Sequence, residues 1–220
     1  MKTIVILHGW GSVIRHWLPV KKLLENKDFK VYLPKLPRDR VRNTADYSNW
    51  VSNYTRNLKQ FCLLGHSFGG QIAINFTAQY PHKVDKLVLV NSAGIRNKLN
   101  IKRLIFLPLA KIAKFFFSDK LKHVFYRLIL ETDYFKASPQ MKQTLKLVVK
   151  EDQQTNLSKI SQPTLIIWGS QDKLTPLADG QLIHRLIKNS QFKVFPNARH
   201  GLPFTHSQAL VSLVKNFISS

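Results

Sequence analysis

Short apolar runs alternate with longer amphipathic segments along the chain. The apolar runs are rich in β-branched residues and almost wholly apolar in their middles, which is typical of strands buried on both faces of a parallel sheet. Strands are predicted at Thr3–Leu7, Lys30–Leu33, Phe61–Leu64, Lys86–Asn91, Thr164–Trp168 and Gln191–Phe195. Helices are predicted at Arg15–Asn26, Thr44–Lys59, Gly69–Tyr80, Leu177–Lys188 and His206–Ile218. Strands that alternate with helices, joined by right-handed crossovers, indicate an α/β fold.

The alternation stops between Asn91 and Gln162, where about 70 residues show only helical patterning. A stretch of that length is too long for a loop, so we expect a helical cap over one end of the sheet. Its helical segments are predicted at Ile101–Phe117, Lys120–Leu130 and Pro139–Lys150. The predicted organisation is a core formed by residues 1–95 and 160–220, with the cap inserted at 96–159.

The composition fits one soluble domain with a strong positive charge. The chain has 220 residues and is 44% hydrophobic, which excludes a disordered chain. Its single cysteine, Cys62, excludes an intramolecular disulfide and a multi-cysteine metal site, and we expect it to be a small buried hydrophobe. Lys and Arg outnumber Asp and Glu by 34 to 12, a net charge of +22. Such an excess favours acidic partners, unless it is only a compositional habit of the host proteome.

Three kinds of acidic partner follow from that charge: nucleic acid, anionic lipid and an acidic carrier protein. No recognised nucleic-acid motif accompanies the charge, which argues against nucleic acid. The basic, Phe-rich segment Ile101–Phe117 is compatible with peripheral membrane contact. Its lysines and arginines interrupt the apolar run too often for a membrane span, and the apolar run at Thr3–Leu7 is too short for a signal peptide. We therefore expect a cytoplasmic protein.

The pentapeptide Gly-His-Ser-Phe-Gly at 65–69 fits the pattern G-x-S-x-G. It follows a predicted strand and begins a predicted helix, the context that a nucleophile elbow requires. Ser67 would project from a sharp turn at the carboxyl end of the sheet, where the backbone N–H of Phe68 can stabilise an oxyanion. The sequence His-Gly-Trp-Gly at 8–11 ends the first strand, and we assign the second oxyanion donor to the N–H of Trp10. His8 is predicted to be structural rather than the catalytic base.

A serine nucleophile needs a base, and the base needs an orienting acid. The predicted acid is Asp172, which lies four residues past the strand that ends at Trp168. The predicted base is His200, in the loop after the last strand, in preference to His206 at the start of the final helix. Competing acids fall in the predicted cap: Asp119, Asp133, Glu151 and Asp152. The chain order of nucleophile, acid and base is the one expected for a nucleophile elbow.

These motifs, with Trp-Gly-Ser-Gln-Asp at 168–172 and Arg-His-Gly at 199–201, resemble the α/β-hydrolase superfamily. Within it, the His-Gly-Trp-Gly start and the helical cap resemble the small carboxylesterases that remove a methyl ester from pimeloyl-acyl carrier protein. Members usually begin with an antiparallel hairpin before the strand that ends in His-Gly. Here Met1 almost begins that strand, so the resemblance implies a mostly parallel sheet shortened to six strands, with a helical cap.

The resemblance implies two-step acyl transfer on Ser67, with His200 as base and Asp172 as its orienting acid, and no metal or organic cofactor. A serine at 67 argues against the haloalkane dehalogenases and epoxide hydrolases, which carry an aspartate nucleophile. The expected substrates are small-molecule carboxylic esters or lactones with small to medium acyl chains. An ester or thioester linked to a carrier protein is the alternative. A basic surface-binding protein with a vestigial site is the alternative from another class.

Overall fold

The computed structural model of the chain describes residues 1–96 and 137–220. Within these residues lies one six-stranded sheet in which every neighbouring pair of strands is parallel. The strands are β1 (Lys2–Leu7), β2 (Phe29–Tyr32), β3 (Phe61–His66), β4 (Val84–Val90), β5 (Thr164–Gly169) and β6 (Ser190–Phe195). They are ordered β2-β1-β3-β4-β5-β6, so β3 and β4 are central. The predicted α/β fold with six strands is confirmed, and the pairing is wholly parallel.

Helices cover both faces of the sheet. They are α1 (Ile14–Leu24), α2 (Thr44–Tyr54), α3 (Phe68–Gln79), α4 (Pro139–Val148), α5 (Gln154–Leu157), α6 (Leu177–Leu186), α7 (Leu202–Thr205) and α8 (Ser207–Ser219), with a short 3₁₀ turn at Pro81–Lys83. One face packs against α2, α3 and α6, and the other packs against α1 and α8. Successive strand residues therefore enter opposite cores, because side chains alternate along a strand. In β3, for example, Leu63 joins the first core and Leu64 the second.

Most predicted elements shift by one or two residues at their ends, and the helix predicted at Thr44–Lys59 is the main exception. It ends at Tyr54, five residues early. Tight backbone turns replace it: Arg56 N–H donates to the Asn53 carbonyl and Leu58 N–H to the Thr55 carbonyl. These turns reverse the chain so that β3 can begin at Phe61.

Residues 139–157 attach to the core helix α3 through buried polar contacts. Gln71 Nε2 donates to the Val148 carbonyl at 2.9 Å, and Asn75 Nδ2 donates to Gln153 Oε1 at 3.2 Å. Helix α4 lies within the predicted segment Pro139–Lys150. The other predicted cap helices, Ile101–Phe117 and Lys120–Leu130, fall outside the described residues, so a cap at 96–159 stays a prediction. Across the described part of the chain, no helix has the length and apolar character to cross a membrane.

Candidate active site

Ser67 occupies a sharp turn between β3 and α3. Its backbone has φ 55° and ψ −122°, a left-handed conformation that residues other than glycine rarely adopt. The turn is tight enough that a Cβ at Gly65 would lie 2.5 Å from the Gly69 carbonyl oxygen, and a Cβ at Gly69 would overlap the Leu7 carbonyl of β1. Glycine at these two positions lets α3 start directly against the central strands. The predicted G-x-S-x-G turn therefore adopts the strand–turn–helix geometry of a nucleophile elbow.

His200 joins Ser67 to Asp172 by two hydrogen bonds. Its Nε2 lies 2.9 Å from Ser67 Oγ, and its Nδ1 lies 2.8 Å from Asp172 Oδ2. A carboxylate accepts hydrogen bonds, so Nδ1 carries the proton and Nε2 is left as the acceptor for the Ser67 hydroxyl. The His200 side chain is 16% exposed, whereas the Asp172 side chain is fully buried. The three predicted residues thus meet at the carboxyl edge of the sheet, with the acid innermost.

Asp172 accepts hydrogen bonds from its own loop as well as from His200. Oδ1 accepts from the backbone N–H groups of Leu174 (2.8 Å) and Thr175 (3.0 Å), and Oδ2 accepts from the Thr175 hydroxyl (2.8 Å). Burial alone would raise the pKa of Asp172, but the hydrogen bonds from His200 and Thr175 outweigh it and lower the pKa below its usual value. Asp172 is therefore held as a carboxylate, the form that keeps the His200 proton on Nδ1.

The loop after β1 lies over the turn at Ser67. A Cβ on Gly9 would come within 3.3 Å of Ser67 Cβ, so the His-Gly-Trp-Gly segment passes directly above the serine. Trp10 and Phe68 line one cleft beside it, together with His8, Gly9, Gly11, Leu36, Pro37, Arg38, Tyr47 and Met141. Phe68 is the first residue of α3, where an N–H has no acceptor within the helix. Trp10 and Phe68, the residues predicted to supply the oxyanion donors, thus line one cleft next to the turn at Ser67.

His8 has hydrogen-bond partners that differ from those of His200. Its Nδ1 donates to the Gly9 carbonyl at 2.8 Å, and its Nε2 accepts from Leu36 N–H at 3.3 Å. Burial lowers its pKa from the usual 6.5, so the ring is neutral and both nitrogens are occupied. These contacts fit the structural role predicted for His8.

The competing acids and the competing base that the structure describes make contacts with residues other than Ser67, His200 and Asp172. Glu151 accepts from Thr44 N–H at the start of α2, and Asp152 accepts from Gln154. His206 contacts the Thr205 hydroxyl at 2.8 Å through Nδ1. Asp119 and Asp133 lie outside the described residues.

Three polar residues without a predicted role contact the group formed by Ser67, His200 and Asp172. His66 Nε2 donates to the His200 carbonyl at 3.0 Å, Thr175 contacts Asp172 as above, and Asn91 contacts both neighbouring loops. The only sequence signal for them is position: His66 fills the first variable place of G-x-S-x-G, and Asn91 directly follows β4 at the edge that holds Ser67. Nothing in their residue types distinguishes them from ordinary loop residues.

Other chemistry-bearing side chains of the described residues offer no second site. Cys62 is buried and free in β3, and burial raises the pKa of its thiol strongly, so it is inert, as predicted for a small hydrophobe. In the two described ranges, no three His, Cys, Asp or Glu side chains converge in a way that would hold a metal ion.

A parallel sheet with a serine at the turn after a central strand, hydrogen-bonded to a histidine and a buried carboxylate, is the architecture of an α/β hydrolase. The chain belongs to the alpha/beta hydrolase family, whose model matches residues 4–213. The family match confirms the superfamily resemblance. The closer resemblance, to esterases acting on pimeloyl-acyl carrier protein, stays a prediction.

Relatives of known sequence include hydrolases of several kinds. The chain is 28% identical to the AB hydrolase superfamily protein YisY of Bacillus subtilis, over 100% of this chain and 92% of that protein. It is also 28% identical to the mouse monoacylglycerol lipase ABHD6, over 99% of this chain and 76% of the lipase. Among solved structures, bromoperoxidase from Bacillus anthracis superposes with a TM-score of 0.78 at 22% identity, over 100% of this chain and 92% of the other. That likeness shows the shared fold.

Proposed function

We propose that the protein is a serine hydrolase that cleaves carboxylic esters or lactones with small to medium acyl chains. The observation that carries this proposal is the hydrogen-bonded chain from Ser67 through His200 to Asp172, located at a strained strand–helix turn. The relatives add support, since one that is 28% identical to this chain is named as a monoacylglycerol lipase. A serine that is activated by a neutral histidine can attack the carbonyl carbon of an ester without a cofactor.

In the first half of the reaction, Ser67 Oγ bonds to the carbonyl carbon of the ester while His200 Nε2 takes the hydroxyl proton. The carbonyl oxygen becomes an oxyanion, held by the N–H groups of Trp10 and Phe68. Collapse of this intermediate breaks the bond to the alcohol, which leaves with the proton from His200. Asp172 stabilises the imidazolium in both steps and keeps it oriented.

In the second half, water attacks the acyl group on Ser67 and gives its proton to His200. The intermediate then releases the carboxylic acid, and the proton returns to Ser67 Oγ. The histidine must be neutral at the start of each half, because only the neutral ring can accept a proton.

The cleft beside Ser67 has a volume of only about 10 Å³ within the described residues, so it does not by itself hold an acyl chain. Its lining is mostly apolar and includes Leu36, Tyr47 and Met141, with Arg38 as its one charged member, which suits the carbonyl end of a hydrocarbon acyl group. We expect weak discrimination between chain lengths, because each methylene contributes only about 1–3 kcal/mol in an apolar site.

The charge of the chain favours a second candidate within the same chemistry, an ester or thioester carried on an acidic protein. The net charge of +22 would attract such a carrier over a distance. The mechanism at Ser67 would be the same, and only the source of the acyl group would differ.

The central test replaces the nucleophile. Ser67→Ala should fold normally yet lose at least about 10³-fold in turnover of p-nitrophenyl esters, since the residual rate would come from the oxyanion site alone. A matched control is Ser158→Ala, which removes an exposed hydroxyl that donates to the Thr155 carbonyl within its own short helical segment. A series of p-nitrophenyl esters of increasing chain length, with lactones alongside, identifies the preferred acyl group. A folded Ser67→Ala enzyme that keeps more than about one hundredth of the activity would refute the proposal.

A further inference from the structure

We propose that Asn91 is a positioning residue that holds the loop of Asp172 and the loop of His200 in register with each other. This inference rests on the proposed function, because it assigns Asn91 a part in the alignment of the same acid and base. Asn91 directly follows β4, which lies between β3 and β5 in the sheet. The chain continues from β3 to Ser67 and from β5 to Asp172.

The side chain of Asn91 connects two loops. Nδ2 donates to the carbonyl of Arg199 at 3.0 Å and to the carbonyl of His200 at 3.1 Å. Oδ1 accepts from Gly169 N–H at 2.9 Å, at the start of the loop that carries Asp172. The residue is fully buried, so no water replaces these partners if the amide is lost. One planar amide therefore fixes the distance between the two loops.

The backbone of Asn91 also lies against this group. Its carbonyl lies 3.1 Å from the oxygen of the Thr175 hydroxyl, whose single proton is donated to Asp172 Oδ2 at 2.8 Å. The same hydroxyl oxygen lies 3.3 Å from His200 Nδ1. The backbone N–H of Asn91 donates to the Ile167 carbonyl of β5 at 3.0 Å. Movement of Asn91 would thus displace the acid, the base and the hydroxyl between them together.

Asparagine suits this place for two reasons. The backbone φ is 43°, in the left-handed region that asparagine adopts more readily than most residues. The side chain must also donate on one side and accept on the other, which excludes an aspartate or an apolar residue of the same shape. His66 provides a second donor to the His200 carbonyl, so loss of Asn91 should loosen the base rather than release it.

Asn91→Asp is the direct test, because it keeps the shape and the backbone preference but turns the donor facing two carbonyls into an oxygen. A misplacement near 1 Å costs about 10²-fold in rate, so we expect a loss of that order in kcat with KM changed by less than about threefold. The rate at which a fluorophosphonate labels Ser67 should fall in parallel.

The matched control is Asn75→Asp. Asn75 is another buried asparagine, and it bonds Ser48, Gln79 and Gln153 away from the site. It should lower Tm comparably while leaving kcat unchanged.

A second variant covers the case in which Asn91→Asp does not fold. Asn91→Gly accommodates the backbone φ of 43° and removes the amide that bonds both loops, so it should lower kcat as Asn91→Asp does. The inference is overturned if folded Asn91→Asp or folded Asn91→Gly keeps wild-type kcat and labelling. A wild-type enzyme that neither hydrolyses esters nor reacts with the fluorophosphonate refutes the proposed function itself, and the role of Asn91 with it.

Discussion

Three histidines lie close to Ser67, and their partners give each a different role. His8 has both ring nitrogens occupied by backbone groups, and His66 donates to the His200 carbonyl from a fully buried position. His200 alone of the three combines a carboxylate at Nδ1 with the Ser67 hydroxyl at Nε2. A base must accept the proton from the nucleophile itself, and of the three it is His200 whose acceptor nitrogen is hydrogen-bonded to Ser67 Oγ, so the geometry favours His200 as the base.

The base assignment predicts unequal effects of two histidine substitutions. His200→Ala should lower kcat at least about 10³-fold, because the serine loses its proton acceptor. His206→Ala should change kcat less than about threefold, since among the described residues the His206 ring contacts the Thr205 hydroxyl and Phe195 rather than Ser67 or Asp172. Steady-state kinetics of both purified variants on one ester decide the question, and the opposite ranking would move the base to His206.

A buried histidine should make the fold sensitive to acid. Burial, together with the neighbouring His200, lowers the pKa of His66 from 6.5 to about 3. Between these values the unfolded ring binds a proton that the folded ring does not, so the free energy of unfolding falls as pH falls. The stabilisation is complete above about pH 6.5 and declines by up to about 1.4 kcal/mol per pH unit below it.

His66→Gln removes this titration, so its unfolding free energy should fall less between pH 6.5 and 4.5 than that of the wild type. His8 remains in the variant and has its pKa lowered in the same direction, so part of the slope should persist. Chemical denaturation at several pH values measures the difference, and His82→Gln, at an exposed position, is the control. Equal slopes for the wild type and His66→Gln would contradict the prediction.

At the scale of elements, the position of Ser67 depends on how closely α3 approaches the central strands. Gly69→Ala would place a Cβ in steric conflict with the Leu7 and His8 carbonyls. These are backbone groups, so they cannot relieve the conflict by rotating as a side chain could. We expect a loss of stability of about 1–3 kcal/mol or more, and a loss of activity as α3 moves away from β1. Gly201→Ala is the matched control for stability, because its nearest contact would be Phe204 at 3.9 Å. A Gly69→Ala protein as stable as Gly201→Ala would show that the elbow tolerates the shift.

The elements themselves are predictable from sequence because each strand is a short apolar run bounded by polar turns. The same pattern places Ser67, Asp172 and His200 at one edge, since the carboxyl ends of parallel strands meet there. It does not indicate Asn91 or Thr175, whose importance depends on which loops touch in three dimensions. Nor does it indicate the early end of α2 at Tyr54, where backbone turns are set by the position of β3.

At the scale of the whole molecule, charge and site are distributed differently. The proposed machinery lies at the carboxyl edge of one sheet, whereas the +22 excess is spread over the entire chain. Residues 96–159 hold 14 basic and five acidic residues, a modest local enrichment. The charge therefore has a function at the site only if it acts over a distance, on the approach of an anionic substrate or partner.

That long-range action leads to a prediction about salt. Attraction between exposed charges is screened beyond about 8 Å at physiological ionic strength, so rising salt should lower kcat/KM for an ester linked to an acidic carrier protein. The loss should come from slower association, and a small neutral ester should be almost unaffected.

Charge reversal in the predicted cap should reproduce the salt effect selectively. The four positions to reverse are Lys102, Arg103, Lys111 and Lys114. Reversal at Lys27, Arg56, Lys59 and Lys188, exposed residues before strands at the opposite edge of the sheet, is the matched control.

Kinetics of both substrates over a salt series separate the two explanations of the charge. If the cap recruits a carrier, the cap variant loses kcat/KM on the carrier-linked ester alone, and the control variant loses much less. If both variants lose equally, the attraction depends on net charge rather than on the cap. Equal salt responses of the two substrates would remove the electrostatic argument for a carrier, because a neutral ester experiences no long-range attraction. The small ester or lactone would then be the better substrate class for the same Ser67 chemistry.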